Sequence, residues 1–192
     1  MEYAPPIGVD ASCPHRPDFP FAPPEGTDRL CENLVNTRFD QLSEDNIRIF
    51  KDRLLDITGC IFGGAVVPED QFLETMLFRW GGIPEAPLFA RKGRLPMPSA
   101  VMLNSITARA NDFGNMFFHV LGDRIASHCG ETLFPMGLTL ADTQKTTGQE
   151  FIANQVAAED LTARVLYTLP MRWPTDMLMV SSAAAALAAR YY

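Results

Sequence analysis

Only imidazole exchanges a proton near neutral pH without help from its surroundings, and the 192-residue chain has three histidines. His15 lies in a Pro-rich stretch and reads as inert. His119 sits in the apolar run Phe117-Phe118-His119-Val120-Leu121 and is expected to be a satisfied core histidine. His128, in Ala126-Ser-His-Cys-Gly-Glu-Thr132, stands among small and polar residues just before a helix, where it can titrate and meet a ligand. A structural role for it stays open on local sequence alone. Cys129 beside it invites a thiol-nucleophile reading. Adjacent side chains generally do not face each other, however, and thiol catalysis needs a base within reach.

A second polar group precedes it. Arg109, Asn111, Asp112 and Asn115 fall within seven residues between apolar runs. If buried, they must be satisfied by each other or by a ligand; a polar loop or helix C-cap is the alternative. The chain has no HExxH, no DxDxDG loop and no clustered His/Cys spacing, so no metal site is expected. Without GxGxxG or GxxxxGK[ST], nucleotide binding has no support either, and the expected cofactor set is empty. Cysteines at 13, 31, 60 and 129, with no CxxC, read as reduced thiols.

Net charge is −7, from 16 Lys+Arg against 23 Asp+Glu. This argues against nucleic acid and anionic membranes, both of which need a basic footprint. Hydrophobic residues make up 47%, enough for a buried core in one domain. The N-terminus lacks the basic and apolar regions of a leader, and the C-terminal apolar stretch is short and carries Arg190. A cytoplasmic protein is expected.

The elements that must hold these residues read as helices. Residues 1–26 carry seven of the 15 prolines and read as an extended arm; residues 27–192 form the helical domain. Thr27 or Asp28 can cap a first helix with Leu30, Cys31, Leu34 and Val35 as its stripe. Ser43 caps a second, along which Ile47, Phe50, Leu54, Ile57 and Ile61 recur at helical spacing until Gly63-Gly64. Pro68 opens a third, with Phe72, Leu73, Met76, Leu77 and Trp80 as its buried face and Gly81-Gly82 as its stop. A short strand at Pro87–Ala90 and a helix from Ala100 to Ala110 capped by Ser99 follow. Asn111 to Cys129 is ambiguous. A helix over Leu133–Lys145 tolerates Pro135 only in its first turn. Thr147-Gly-Gln-Glu150 is a capping box for a helix to Tyr167, and Asp176–Tyr192 reads as the last. The expected class is all-α, a multi-helix bundle.

Several segments together resemble the MmgE/PrpD family, the 2-methylcitrate dehydratase-like proteins. Asp52-Arg-Leu-Leu-Asp-Ile-Thr-Gly-Cys-Ile-Phe-Gly-Gly64 is similar to a family helix ending in lDtlGcalaG. Gly81-Gly-Ile-Pro-Glu-Ala86, Ala100-Val-Met-Leu-Asn104 and Ala108-Arg-Ala-Asn-Asp-Phe-Gly-Asn115 match its GGxPEA, AxxNG and AHALDFDD segments in order. His128 with Pro135, Glu159 with Arg164, and Pro174-Thr175 with Ala183–Ala189 extend the match.

The resemblance implies a helical domain, often dimeric, beside an α/β lid that supplies a lysine and a tyrosine. It implies metal-independent removal or relocation of a proton next to a carboxylate on a small polycarboxylate. The chain departs from the pattern. The family's paired aspartates fall on Gly114 and Asn115, its histidine falls on Arg109, and the chain stops where the lid is expected to begin.

Two functional readings follow. In the first, the chain is a lyase or isomerase acting on a carbon acid next to a carboxylate: dehydration, decarboxylation or isomerisation of a small metabolite, with natural-product biosynthesis as a plausible setting. His128 is then the acid/base, Asp112 orients it or acts as a second base, and Arg109, Asn111 and Asn115 bind carboxylate or oxyanion. The expected partners are a small carboxylate and either a second copy or a chain supplying a lid. In the second, the chain is a non-catalytic helical partner or regulatory subunit derived from the same family.

Overall fold

The computed structural model describes residues 25–114, 117–120, 122–168 and 173–192. Among these are seven α-helices, a single 3-10 turn and two two-stranded antiparallel sheets. The arm expected over 1–26 lies outside the described residues except for its last two, which open helix α1 (Glu25–Asn36). Helix α2 (Glu44–Gly64) starts as expected at Ser43, whose hydroxyl accepts the Asn46 N–H. Its stripe buries Phe50, Ile57 and Ile61 against Ala108, Phe134 and Phe151.

Helix α3 (Pro68–Trp80) begins on Pro68 and ends at Gly81, whose φ of 69° suits only glycine well. Its face is narrower than expected: Leu77 is buried, but Phe72 and Trp80 are exposed. Asp70 in its first turn is buried beside Arg91, which also pairs with Glu74 and so anchors the irregular 89–93 segment. Strands β1 (Ala86–Pro87) and β2 (Arg94–Leu95) pair there, two residues each and earlier than expected.

Helix α4 (Met97–Arg109) starts before Ser99, which lies inside it. The ambiguous stretch is a hairpin, β3 (Phe117–Val120) with β4 (Asp123–Ala126), turning at Gly122 with φ 93°. Alternation along β3 leaves His119 exposed, so it is not a core residue.

Helix α5 (Gly130–Gln144) begins three residues earlier than expected and lies at the centre, against α2, α4, α6 and α7. Pro135 is therefore its sixth residue and leaves the Glu131 carbonyl without its intrahelical donor. Helix α6 (Gly148–Thr168) opens on the expected box. The Thr147 N–H donates to Glu150 Oε2 at 2.7 Å, and the Glu150 N–H to Thr147 Oγ1 at 3.2 Å. Helix α7 (Trp173–Ala189) buries Ala183 and Leu187 against Leu133, Leu140 and Ala158. No described helix is long and apolar enough to cross a membrane.

Candidate active site

The site lies where the C-terminal end of α4 meets the N-terminal end of α5. Gly64, closing α2, sets this junction: a Cβ there would stand 2.9 Å from the Thr107 carbonyl carbon and 3.2 Å from Ala110 Cβ. Without one, α2 packs directly on the last turn of α4, which ends on Arg109. The chain then turns through Asp112, left-handed at φ 54°, whose N–H donates to the Arg109 carbonyl at 2.9 Å. The β3–β4 hairpin carries it back so that His128, two residues before α5, lies beside that turn. Glu131 follows in the first turn of α5, where the helix end favours negative charge.

One nitrogen ties these groups together. Arg109 Nη1 is 2.6 Å from Asp112 Oδ1, 2.7 Å from His128 Nδ1 and 2.9 Å from Glu131 Oε1. Glu131 Oε2 stands 3.4 Å from His128 Nδ1. His128 and Glu131 are buried, at 4% and 2% exposure; Arg109 and Asp112 form the outer surface. A guanidinium only donates, so a hydrogen bond from Arg109 requires a lone pair on Nδ1 and places the His128 proton on Nε2. Turning Nδ1–H toward Glu131 instead leaves the lone pair on Nε2. The two neighbours thus select which ring nitrogen carries the proton, and Nε2 itself is buried. Asp112, His128 and Glu131 offer donor atoms within 4.8 Å of one another, a set that fits a cation. The cation already placed among them is the Arg109 guanidinium.

Of the residues the sequence singled out, Arg109, Asp112 and His128 converge. Asn111 is exposed with its amide over Gly63 and has no described bond to the cluster. Asn115 lies outside the described residues. Cys129 packs with Leu133 and Leu140, buried in the core, which removes the thiol-nucleophile reading.

Glu131 was missed. Its signal is the three-residue spacing from His128 across the start of α5, where the first turn brings the two side chains together. Cys60 on α2 feels the site: burial, then Asp56, then Glu131 push its thiol up from the usual range, so it is protonated at neutral pH.

The supports are polar and buried. Arg53 of α2 pairs with Glu159 of α6, and its guanidinium lies 5.5 Å from the Phe118 ring centroid and 5.4 Å from that of Phe134. Hairpin and α5 are thereby held to the same cation. Asn104 accepts from Phe89 N–H at 3.0 Å and donates to the Pro87 carbonyl at 3.0 Å, fixing α4 against the β1 segment.

Fold and site together describe a helical domain with an arginine–histidine–carboxylate cluster at one helix junction. The sequence model of the MmgE/PrpD N-terminal domain matches residues 28–192, and the chain belongs to the MmgE/PrpD family. No curated protein and no solved structure matches it significantly. The family is of dehydratase and lyase type.

Proposed function

We propose that the chain is a lyase or isomerase that moves a proton at a carbon next to a carboxylate, without a resident metal, on a small carboxylic acid. The observation that carries this reading is the placement of His128 between Arg109 and Glu131 at the α4–α5 junction. The ligand carboxylate takes the outer edge of Arg109 and draws its guanidinium from His128 Nδ1. Exchange with water then takes the proton from Nε2 and places one on Nδ1, where it is donated to Glu131, and Nε2, buried while Arg109 holds the ring, receives the substrate proton as a general base once the ring is released. Asp112 balances Arg109 from the solvent side. Leu55 and Phe62 of α2 and Phe113 in the site loop are exposed. In this reading a second chain, another copy or a lid-bearing protein, covers them.

The test is proton–deuterium exchange, followed by NMR, at the carbon next to the carboxylate in a panel of small carboxylic acids incubated with the protein in D2O. Catalysed exchange of at least one panel member is expected. The burial of His128 under the Arg109–Glu131 pair favours a second reading, a non-catalytic partner whose cluster is structural. Absence of exchange from the whole panel, with every co-encoded protein added, would establish that reading instead.

A further inference from the structure

We propose that the chain carries a second binding site, for a small oxyanion (a carboxylate or a phosphate), where the end of α1, the 3-10 turn Phe39–Gln41, the start of α6 and the residues after α7 meet. An open cavity of about 630 Å³ lies there, and its polar lining is Arg38, Asp40, Thr147, Gln149, Glu150, Asn154 and Arg190. None of these belongs to the α4–α5 cluster, so the site stands apart from the acid–base reading. Two guanidiniums meet in it without an acid on either. Arg190 donates Nε–H to Asn154 Oδ1 at 2.9 Å, Nη1 to the Leu34 and Val35 carbonyls at 2.7 Å each, and Nη2 to that of Thr37 at 2.9 Å. Arg38 Nη1 donates to the Val35 and Thr37 carbonyls at 2.7 and 3.2 Å. Every one of these acceptors is neutral. Arg48, Arg53, Arg91, Arg94 and Arg164, by contrast, each pair with a carboxylate, as expected in a chain of net charge −7. Burial, then the neighbouring Arg38 charge, pushes the Arg190 guanidinium down from its usual range. The carbonyl end of α1 offsets only about half a unit of these two charges.

The donors that remain suit an oxyanion. Arg38 Nε and Nη2 have no acceptor among the described residues, and that edge is the planar fork that holds two oxygens of a carboxylate or phosphate side by side. Arg190 Nη2 keeps one hydrogen beyond its bond to Thr37. Thr147, Gln149 and Glu150 bring the first turn of α6 to the same cavity, and with it the positive end of a 21-residue helix. The two carboxylates of the lining do not take the anion's place. Glu150 Oε2 accepts from the Thr147 N–H and hydroxyl at 2.7 and 2.8 Å, and exposed Asp40 makes no ion pair among the described residues. A bound oxyanion would also tie the end of α1 to the start of α6, and so stabilise the fold in proportion to its occupancy.

The experiment is a titration of the full chain with sodium phosphate and with sodium succinate at constant low ionic strength, read by NMR at the arginine Nε–H groups. At least one should bind with a Kd below about 10 mM, the strength of a few charge-assisted hydrogen bonds at an open site. Arg38→Gln, at an exposed side chain with two bonds of its own, should weaken that binding at least about tenfold. Asp40→Asn should tighten it about 2–5-fold by removing a like charge. Arg48→Gln, on exposed α2, should leave it unchanged. Saturating ligand should raise the melting temperature of wild type and not that of Arg38→Gln. Binding of phosphate alone would assign a phosphate ligand, and binding of succinate alone a carboxylate; either supports the site. Failure of both to bind below about 10 mM, or binding that Arg38→Gln leaves unchanged, would overturn it. If Arg38→Gln does not fold, by circular dichroism, Arg38→Lys keeps the charge without the fork and should still weaken binding about threefold or more; unchanged binding there would overturn it equally.

Discussion

His128 Nδ1 has two rivals for its one valence, Arg109 at 2.7 Å and Glu131 at 3.4 Å, and the imidazole changes role with the winner. Asp112 is the weaker carboxylate of the site, being exposed and reaching His128 only through Arg109. Its backbone is the more constrained part: φ of 54° is tolerated by Asp and Asn and costs other residues about 1 kcal/mol or more. Asp112→Asn should therefore leave urea stability within about 0.5 kcal/mol, since exposed pairs contribute little. Asp112→Ala should lose about 1 kcal/mol beyond that. Equal midpoints for the two would show that the turn is not strained. At this scale Arg109, Asp112 and His128 are legible in the sequence, but the surroundings of two histidines are exchanged. An apolar run was read as core for His119, yet a surface hairpin exposes alternate residues. Small polar neighbours suggested an open His128, yet Glu131 and Arg109 enclose it.

Among the elements, legibility followed periodicity. The α2 stripe, Pro68, Gly81 and the Thr147–Glu150 box are local signals, and each stands where the sequence places it. The β3–β4 hairpin is four residues a side, too short for a stripe to distinguish it from helix. The early start of α5 was hidden by Pro135, which is tolerated inside the helix at the loss of one hydrogen bond.

Glycines on α2 divide by what they face. Nothing lies within 4 Å of a Cβ at Gly59, whereas one at Gly64 meets the Thr107 backbone. Gly59→Ala should stabilise by about 0.5–1 kcal/mol. Gly64→Ala should destabilise by about 1–3 kcal/mol despite the same propensity gain. Urea midpoints moving in one direction for both would contradict the α2–α4 packing that positions Arg109.

Across the whole molecule, the last described helix closes on the first. Arg190, just past α7, donates to the Leu34, Val35 and Thr37 carbonyls at the end of α1 and to Asn154. Tyr191 beside it donates to the Gly137 carbonyl at 3.3 Å, and burial pushes its phenol up to about 12. A raised folded pKa means that the native state holds this proton between pH 10 and about 12 while the unfolded state has lost it. Its contribution is complete below pH 10 and falls as pH rises to about 12. Tyr191→Phe should flatten this part of the thermal-stability profile, and an unchanged alkaline limb would show that the phenol is not buried.

In the proposed function His128 moves the substrate proton. This is tested most directly by the initial rate of deuterium exchange for the best panel acid, measured with wild type, His128→Ala and His119→Ala. His128→Ala should lose about 10²–10⁴-fold with its circular dichroism retained, and exposed His119→Ala should change by no more than about twofold. Full exchange by a folded His128→Ala protein would contradict it.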